Sequence, residues 1–222
     1  NISMKTIHFQ VLALFLLIGV VSCGNPANEH TSEVISVSDT MEIIPLQHPD
    51  WSKDATIYEV NIRQHTPEGT INAFVQDIPR IKDMGIEVLW LMPIFPIGEE
   101  NRKGGLGSYY SVKDYTAVNP EFGSIEDFKN LVRIAHDNGM KVILDWVANH
   151  SAWDNAWVEL HPDWYTKDSL GNMQAPVPDW ADVVDLNYES DSMRMAMIEA
   201  FEYWVREADV DGYRCDVAMM VP

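Results

Sequence analysis

Gly85-Ile86-Glu87-Val88-Leu89-Trp90-Leu91-Met92-Pro93 is the stretch on which the fold turns. A glycine suited to stopping a helix is followed by an almost unbroken apolar run from Ile86 to Met92, the pattern of a parallel strand covered on both faces. Upstream, Ala55 to Ile62 reads as a strand, and Phe74, Ile78 and Ile81 then fall at helical spacing, with Pro79 interrupting the helix. The same order recurs downstream. Ser124 and Asp127 have the spacing of a capping box, and Phe128, Leu131, Val132 and Ala135 form an apolar stripe. Gly139 closes that helix, and Met140 to Trp146 is the next buried strand. A third helix carries Met193, Met197, Phe201 and Trp204 on one face, read as core, and leads to a fourth strand from Val210 to Asp216. Strands alternating with helices imply an α/β fold with a parallel sheet.

Two architectures share this cadence: an open doubly wound sheet and a closed (β/α)8 barrel. A dinucleotide-binding sheet wants a glycine-rich turn after its first strand. Arg63-Gln64-His65-Thr66-Pro67-Glu68-Gly69 has no such turn, and Gly104-Gly105-Leu106-Gly107 lies in a long loop well short of the helix at Ser124, where it reads as flexible. The expectation is therefore a partial (β/α)8 TIM barrel, about strands 1–4, with a short insertion after strand 3 at 151–187. A full barrel takes about 250 residues and this chain has 222.

Lys and Arg number 15 against 34 Asp and Glu, a net charge of -19, so the basic footprint that nucleic acid requires is missing. Acidity of this kind suits solubility and does not repel neutral sugars. Two cysteines, Cys23 and Cys215, are too few and too far apart for a disulfide framework or a zinc site.

The N-terminus has a targeting pattern. Translation is expected to start at Met4; Lys5 follows, then an apolar stretch from about Phe9 to Val21, shorter than a membrane-spanning helix and suited to a signal peptide. Val20-Val21-Ser22-Cys23 resembles the lipobox of bacterial lipoproteins, which implies lipidation of Cys23 and a membrane partner reached through the lipid. Residues 1–23 are thus expected to be signal peptide and lipobox, 24–48 a flexible tether, and 49–222 the N-terminal half of the barrel.

In a barrel enzyme the chemistry collects at the C-terminal ends of the strands. The third strand runs into Asp145-Trp146-Val147-Ala148-Asn149-His150 and the fourth into Gly212-Tyr213-Arg214-Cys215-Asp216. Side chains alternate along a strand, so Arg214 and Asp216 share one face and Tyr213 and Cys215 the other. Spacing alone leaves two readings open: an ion pair that fixes barrel packing, or charges set for catalysis, with Asp145 and Asp216 as a candidate acid and base.

Asp145 to His150 resembles the Asp-x-Val-x-Asn-His motif of the α-amylase family, glycoside hydrolase family 13, and Gly212 to Asp216 resembles its Gly-x-Arg-x-Asp motif. Gly85 to Pro93 is similar to the family's second-strand segment, Tyr110-Ser111-Val112-Lys113-Asp114-Tyr115 to its Tyr-x-x-x-Asp-Tyr loop, and Val184-Asp185-Leu186-Asn187 to the segment near the end of its inserted B domain. The likeness spans about residues 50–222, with the motifs in the family's order. It implies a retaining enzyme acting on α-glucosidic bonds of starch-like glucans or maltooligosaccharides. Asp216 would be the nucleophile, kept ionised and oriented by Arg214. His150 would bind a sugar hydroxyl, Tyr110 would stack on the same ring, and Asp145 would support the substrate site. Trp51, Trp90, Trp153, Trp157, Trp164 and Trp180 are candidates for further sugar platforms, with core packing the competing reading for each.

The resemblance also implies a glutamate acid/base after a fifth strand and an aspartate after a seventh. The sequence given runs to Pro222, so neither is in it, and the chain alone is expected to be an inactive N-terminal fragment. No cofactor is required, although calcium is implied for many members, with Asn149 and Asp185 as oxygen ligands. The Lys and His usual after the nucleophile are replaced by Met219 and Met220, which weakens that expectation. The competing function is a non-catalytic α-glucan-binding lipoprotein.

Overall fold

The computed structural model describes residues 47–222; the signal peptide, Cys23 and nearly all of the expected tether lie outside the described residues. In chain order the strands are β1 (Ile57–Val60), β2 (Val88–Leu91), β3 (Lys141–Trp146), β4 (His150–Ala152), β5 (Val183–Asp185) and β6 (Gly212–Cys215). The helices are α1 (Ile62–His65), α2 (Ile71–Val75), α3 (Ile78–Asp83), α4 (Ile125–Asp137), α5 (Ala156–Leu160) and α6 (Asp191–Ala208).

β1, β2, β3 and β6 form one parallel sheet in that order, with helical crossovers between neighbours, as the first four strands of a (β/α)8 barrel do. The register places Leu91 beside Leu144 and Asp145 beside Arg214. β4 and β5 make a separate antiparallel ribbon within the segment between β3 and α6, pairing His150 with Asp185. Among the described residues, no helix is long and apolar enough to cross a membrane.

The expected strands are present but shorter, because each loses the residues that curve into the connecting loops. The first strand ends at Val60, and Ile62 already belongs to a helical turn. The stripe Phe74, Ile78 and Ile81 is fully buried, yet it lies on two helices rather than one. The break falls at Gln76–Asp77, and Pro79 occupies the first turn of α3, where its missing N–H costs no helical hydrogen bond.

α4 begins as its sequence implies. The Ser124 side chain accepts from the Asp127 N–H at 3.2 Å, and the Asp127 carboxylate accepts from the Ser124 N–H at 2.8 Å. Phe128, Leu131, Val132 and Ala135 face the sheet, the larger ones contributing about 1.5–3 kcal/mol each by burial. Gly139 takes φ 67°, a left-handed conformation that lets the chain leave α4 and enter β3. α6 buries Met193, Met197, Ala200 and Trp204, while Phe201 is only half-buried and packs on Trp146 at 4.3 Å between ring centroids.

Candidate active site

β3 and β6 lie side by side, and their C-terminal ends deliver the charged groups. Arg214 Nη1 donates to Asp145 Oδ1 at 2.8 Å and to Asp216 Oδ1 at 2.7 Å. Asp145 is fully buried, and its other oxygen accepts from the Tyr110 hydroxyl at 3.1 Å and from Trp90 Nε1 at 3.2 Å. The Trp90 ring also lies 4.9 Å from the guanidinium carbon of Arg214, a cation–π contact. As the alternation implies, Tyr213 points the other way, against Phe201 and Trp146.

The ladder runs on past β6, with the Asp216 N–H donating to the Trp146 carbonyl at 2.8 Å. Val217 then takes φ 38° and ψ 41°, a left-handed conformation costly for a β-branched residue. This turn leaves Asp216 at the strand's end, on the rim of an open cleft of about 350 Å³. The cleft is lined by Tyr110, His150, Trp180, Asp182 and Asp216, among others.

The electrostatics separate the two carboxylates on Arg214. Burial pushes the Asp145 carboxyl above its ordinary range, and the bonds from Arg214 and Tyr110 hold it back. Burial opposes the Arg214 charge, but Asp145 and Asp216 outweigh it and raise the guanidinium further above its ordinary range. Burial, then the charge of Asp145, raises the Tyr110 hydroxyl, so it stays protonated and donates. Asp145 does not line the cleft and its oxygens are occupied, so the arrangement gives no support to an acid–base pair of Asp145 and Asp216. Asp145 instead orients Arg214 and Tyr110.

His150 is buried within β4 while its ring lines the cleft. Burial lowers its pKa to about 4, so the imidazole is neutral at pH 7, with one donor and one acceptor nitrogen. Its backbone is fixed from below: the hydroxyl of fully enclosed Tyr115 lies 2.7 Å from the His150 carbonyl and 2.9 Å from that of Val147.

Asn149 and Asp185 come close through the β4–β5 ribbon. The Asn149 amide nitrogen is 3.1 Å from His150 Nδ1, and the Asp185 carboxyl is raised by burial. Calcium takes six to eight oxygens, and no group of three or more His, Cys, Asp or Glu able to hold a metal occurs among the described residues. These two residues alone do not make up such a donor set.

The sequence motifs are thus brought together: Tyr110, Asp145, His150, Arg214 and Asp216 converge at one end of the sheet. Sequence reasoning missed Lys103, Ser108 and Asp182 in the cleft wall and the part Trp90 plays behind it. Only the strand register, with Asp145 opposite Arg214 and Trp90 one strand further, could have pointed to Trp90.

The pattern of the alpha amylase catalytic domain matches residues 38–181 and 177–222. Alpha-amylase 3 of Dictyoglomus thermophilum is 30% identical over 193 residues, covering 76% of this chain and 37% of that protein. A cyclomaltodextrinase of Thermoanaerobacter pseudethanolicus is 27% identical, covering 77% of this chain and 35% of that protein. Among solved structures, an alpha-amylase from Lactobacillus plantarum superimposes with a TM-score of 0.73 at 46% identity, over 76% of this chain and 39% of that one. The noncanonic maltogenic alpha-amylase AmyB from Thermotoga neapolitana gives 0.70 at 43% identity, over 76% and 40%. The chain therefore spans less than half the length of these relatives. With most of its described residues matched by sequence and by fold, the chain belongs to the alpha-amylase family.

Proposed function

We propose that this chain carries the nucleophile side of a retaining enzyme that hydrolyses or transfers α-glucosidic bonds of starch-like glucans or maltooligosaccharides. The observation that supports it most is the single guanidinium of Arg214 bridging a buried carboxylate, Asp145, and one at the cleft rim, Asp216. An ion pair serving packing alone would have no use for a second carboxylate exposed to a cleft with a neutral imidazole beside it.

In this reading the glucosyl unit lies against Tyr110, with a hydroxyl bound by His150. An Asp216 oxygen forms a bond to the anomeric carbon from the face opposite the leaving group. The bond from that carbon to the glycosidic oxygen breaks, and the oxygen takes a proton from a general acid, the glutamate that the resemblance places after a fifth strand. Water or a second sugar, giving its proton to that same glutamate, now a base, then displaces Asp216 with inversion again, giving net retention. Asp145 positions Arg214 and Tyr110 without touching the sugar. On this account residues 47–222 supply nucleophile and binding groups and no general acid, so by themselves they are inactive on unactivated glucans. The N-terminal pattern ending at Cys23 supports a location at the cell envelope, held by lipid.

The test is Asp216→Asn in the enzyme, assayed on an α-linked maltooligosaccharide. Turnover is expected to fall by several orders of magnitude with binding largely retained. Undiminished turnover removes Asp216 from the mechanism, whereas a wild-type protein that binds the maltooligosaccharide without turning it over favours the alternative, a glucan-binding lipoprotein.

A further inference from the structure

Five of the eight tryptophans spend the indole N–H inside the protein: Trp90 on Asp145, Trp146 on Met197, Trp153 on Ala181, Trp164 on Ser192 and Trp204 on Tyr115. Of the remaining three, Trp51 lies under Lys141, and Trp157 is stacked on Tyr115 and meets Trp164 edge-on. Trp180 is different. It is half-buried, it lines the cleft with His150 and Asp216, and its N–H has no partner among the described residues.

The turn that carries it is fastened from several directions. Lys103 Nζ donates to the Asp179 carbonyl and lies 3.3 Å from Asp182 Oδ1, so one ammonium grips the chain on both sides of Trp180. The Ala181 carbonyl accepts from Trp153 Nε1 at 3.0 Å, and the Asp182 carbonyl accepts from Ser111 Oγ at 3.0 Å. Within the turn, the Trp180 N–H and carbonyl bond to Val177 and Val183. The His150 ring meets the indole edge-on, 5.5 Å between centroids. Every neighbour of Trp180 is tied, and the indole itself lines the cleft with its N–H unpartnered among the described residues.

We infer that Trp180 is a substrate-contacting residue that packs its indole on a glucosyl unit of the α-glucan, and that Lys103 positions it by clamping Asp179 and Asp182. A pyranose offers an apolar C–H face and a hydroxyl rim, which match an indole's broad apolar surface and unused N–H. A platform already fixed in the free protein loses little side-chain freedom on binding, which is what makes such a contact effective. This inference rests on the glucan reading above and adds the residue that grips a sugar on the ribbon side of the cleft.

The test is a titration of the full chain with maltotriose, following the indole N–H resonances by NMR. Trp180→Phe identifies the Trp180 signal. That signal is expected to move on titration while that of Trp51 stays still. Trp180→Ala should weaken binding about tenfold and Trp180→Phe less, since a phenyl keeps part of the platform. Lys103→Met should weaken binding about threefold and Lys103→Arg restore it, a rescue that a general loss of stability would not give. If maltotriose binds, His150→Ala abolishes binding and Trp180→Ala changes it less than twofold, the inference fails while the functional reading stands. If wild-type chain binds no maltotriose at all, both fail.

Discussion

Asp145 and Arg214 are register partners on adjacent parallel strands, and Arg214 Nη1 closes on Asp145 Oδ1 at 2.8 Å. Neither residue's neighbours in sequence announce this pair, yet it anchors the site. The carboxylate is sealed from solvent, while the guanidinium, about a third exposed, reaches past it to Asp216.

Removing the buried partner should therefore cost more than a surface ion pair would. Asp145→Ala leaves the Trp90 and Tyr110 donors without an acceptor and Arg214 with one carboxylate. A loss of about 3 kcal/mol is expected, at the low end for buried pairs because Arg214 keeps some solvent. Asp145→Asn, which keeps an acceptor oxygen, should cost about 1–2 kcal/mol. Urea unfolding of the variants checks this; a loss below about 0.5 kcal/mol for Asp145→Ala would contradict the role assigned to Asp145.

Acid should destabilise the fold through His150. Its pKa is about 4 in the folded protein against 6.5 ordinarily, because burial disfavours the imidazolium. Between those values the unfolded chain binds a proton that the folded chain does not. Stability from this group is thus complete above pH 6.5, declines as pH falls towards 4, and changes no further below that. The total is on the order of 3 kcal/mol. Unfolding free energies measured from pH 7 to pH 4 should show this slope, and His150→Gln should remove it. An unchanged slope in that variant would place the proton uptake elsewhere.

Gly98 is needed for close approach, not for backbone freedom. A Cβ there would meet the Ala152 Cβ at 2.5 Å and Ser111 Oγ at 2.8 Å. Ala152 and Ser111 are buried, and Ser111 is one of the groups fastening the Trp180 turn. Gly98→Ala is expected to destabilise by about 1–3 kcal/mol. Lower thermal stability together with weaker maltotriose binding would fit; a melting temperature within about 1 °C of wild type would not.

The parts of this fold that could be read from the sequence are those governed by local pattern. Ser124 and Asp127 form the capping box their spacing implies, and the apolar runs after Gly85 and Gly139 become β2 and β3. The motif residues Tyr110, His150, Arg214 and Asp216 also meet in one place: alternation and parallel pairing set Arg214 and Asp216, while Tyr110 arrives on a loop and His150 on the antiparallel ribbon. The division of one expected helix at Gln76–Asp77 was not legible, since apolar spacing alone continues through the break. Nor was Lys103. It immediately precedes a loop segment read as flexible, and only tertiary structure shows its ammonium gripping Asp179 and Asp182, some seventy-five residues away in sequence.

If one oxygen of Asp216 is the nucleophile, it can be trapped covalently. A 5-fluoro-α-glucosyl fluoride carries a leaving group that needs no general acid, while the ring fluorine slows release of the glycosyl-enzyme. After incubation and proteolysis, mass spectrometry should find a single fluoroglucosyl ester on the peptide containing Asp216, absent from the Asp216→Asn variant. An adduct on Asp145, Asp182 or another carboxylate instead, persisting in that variant, would contradict the account.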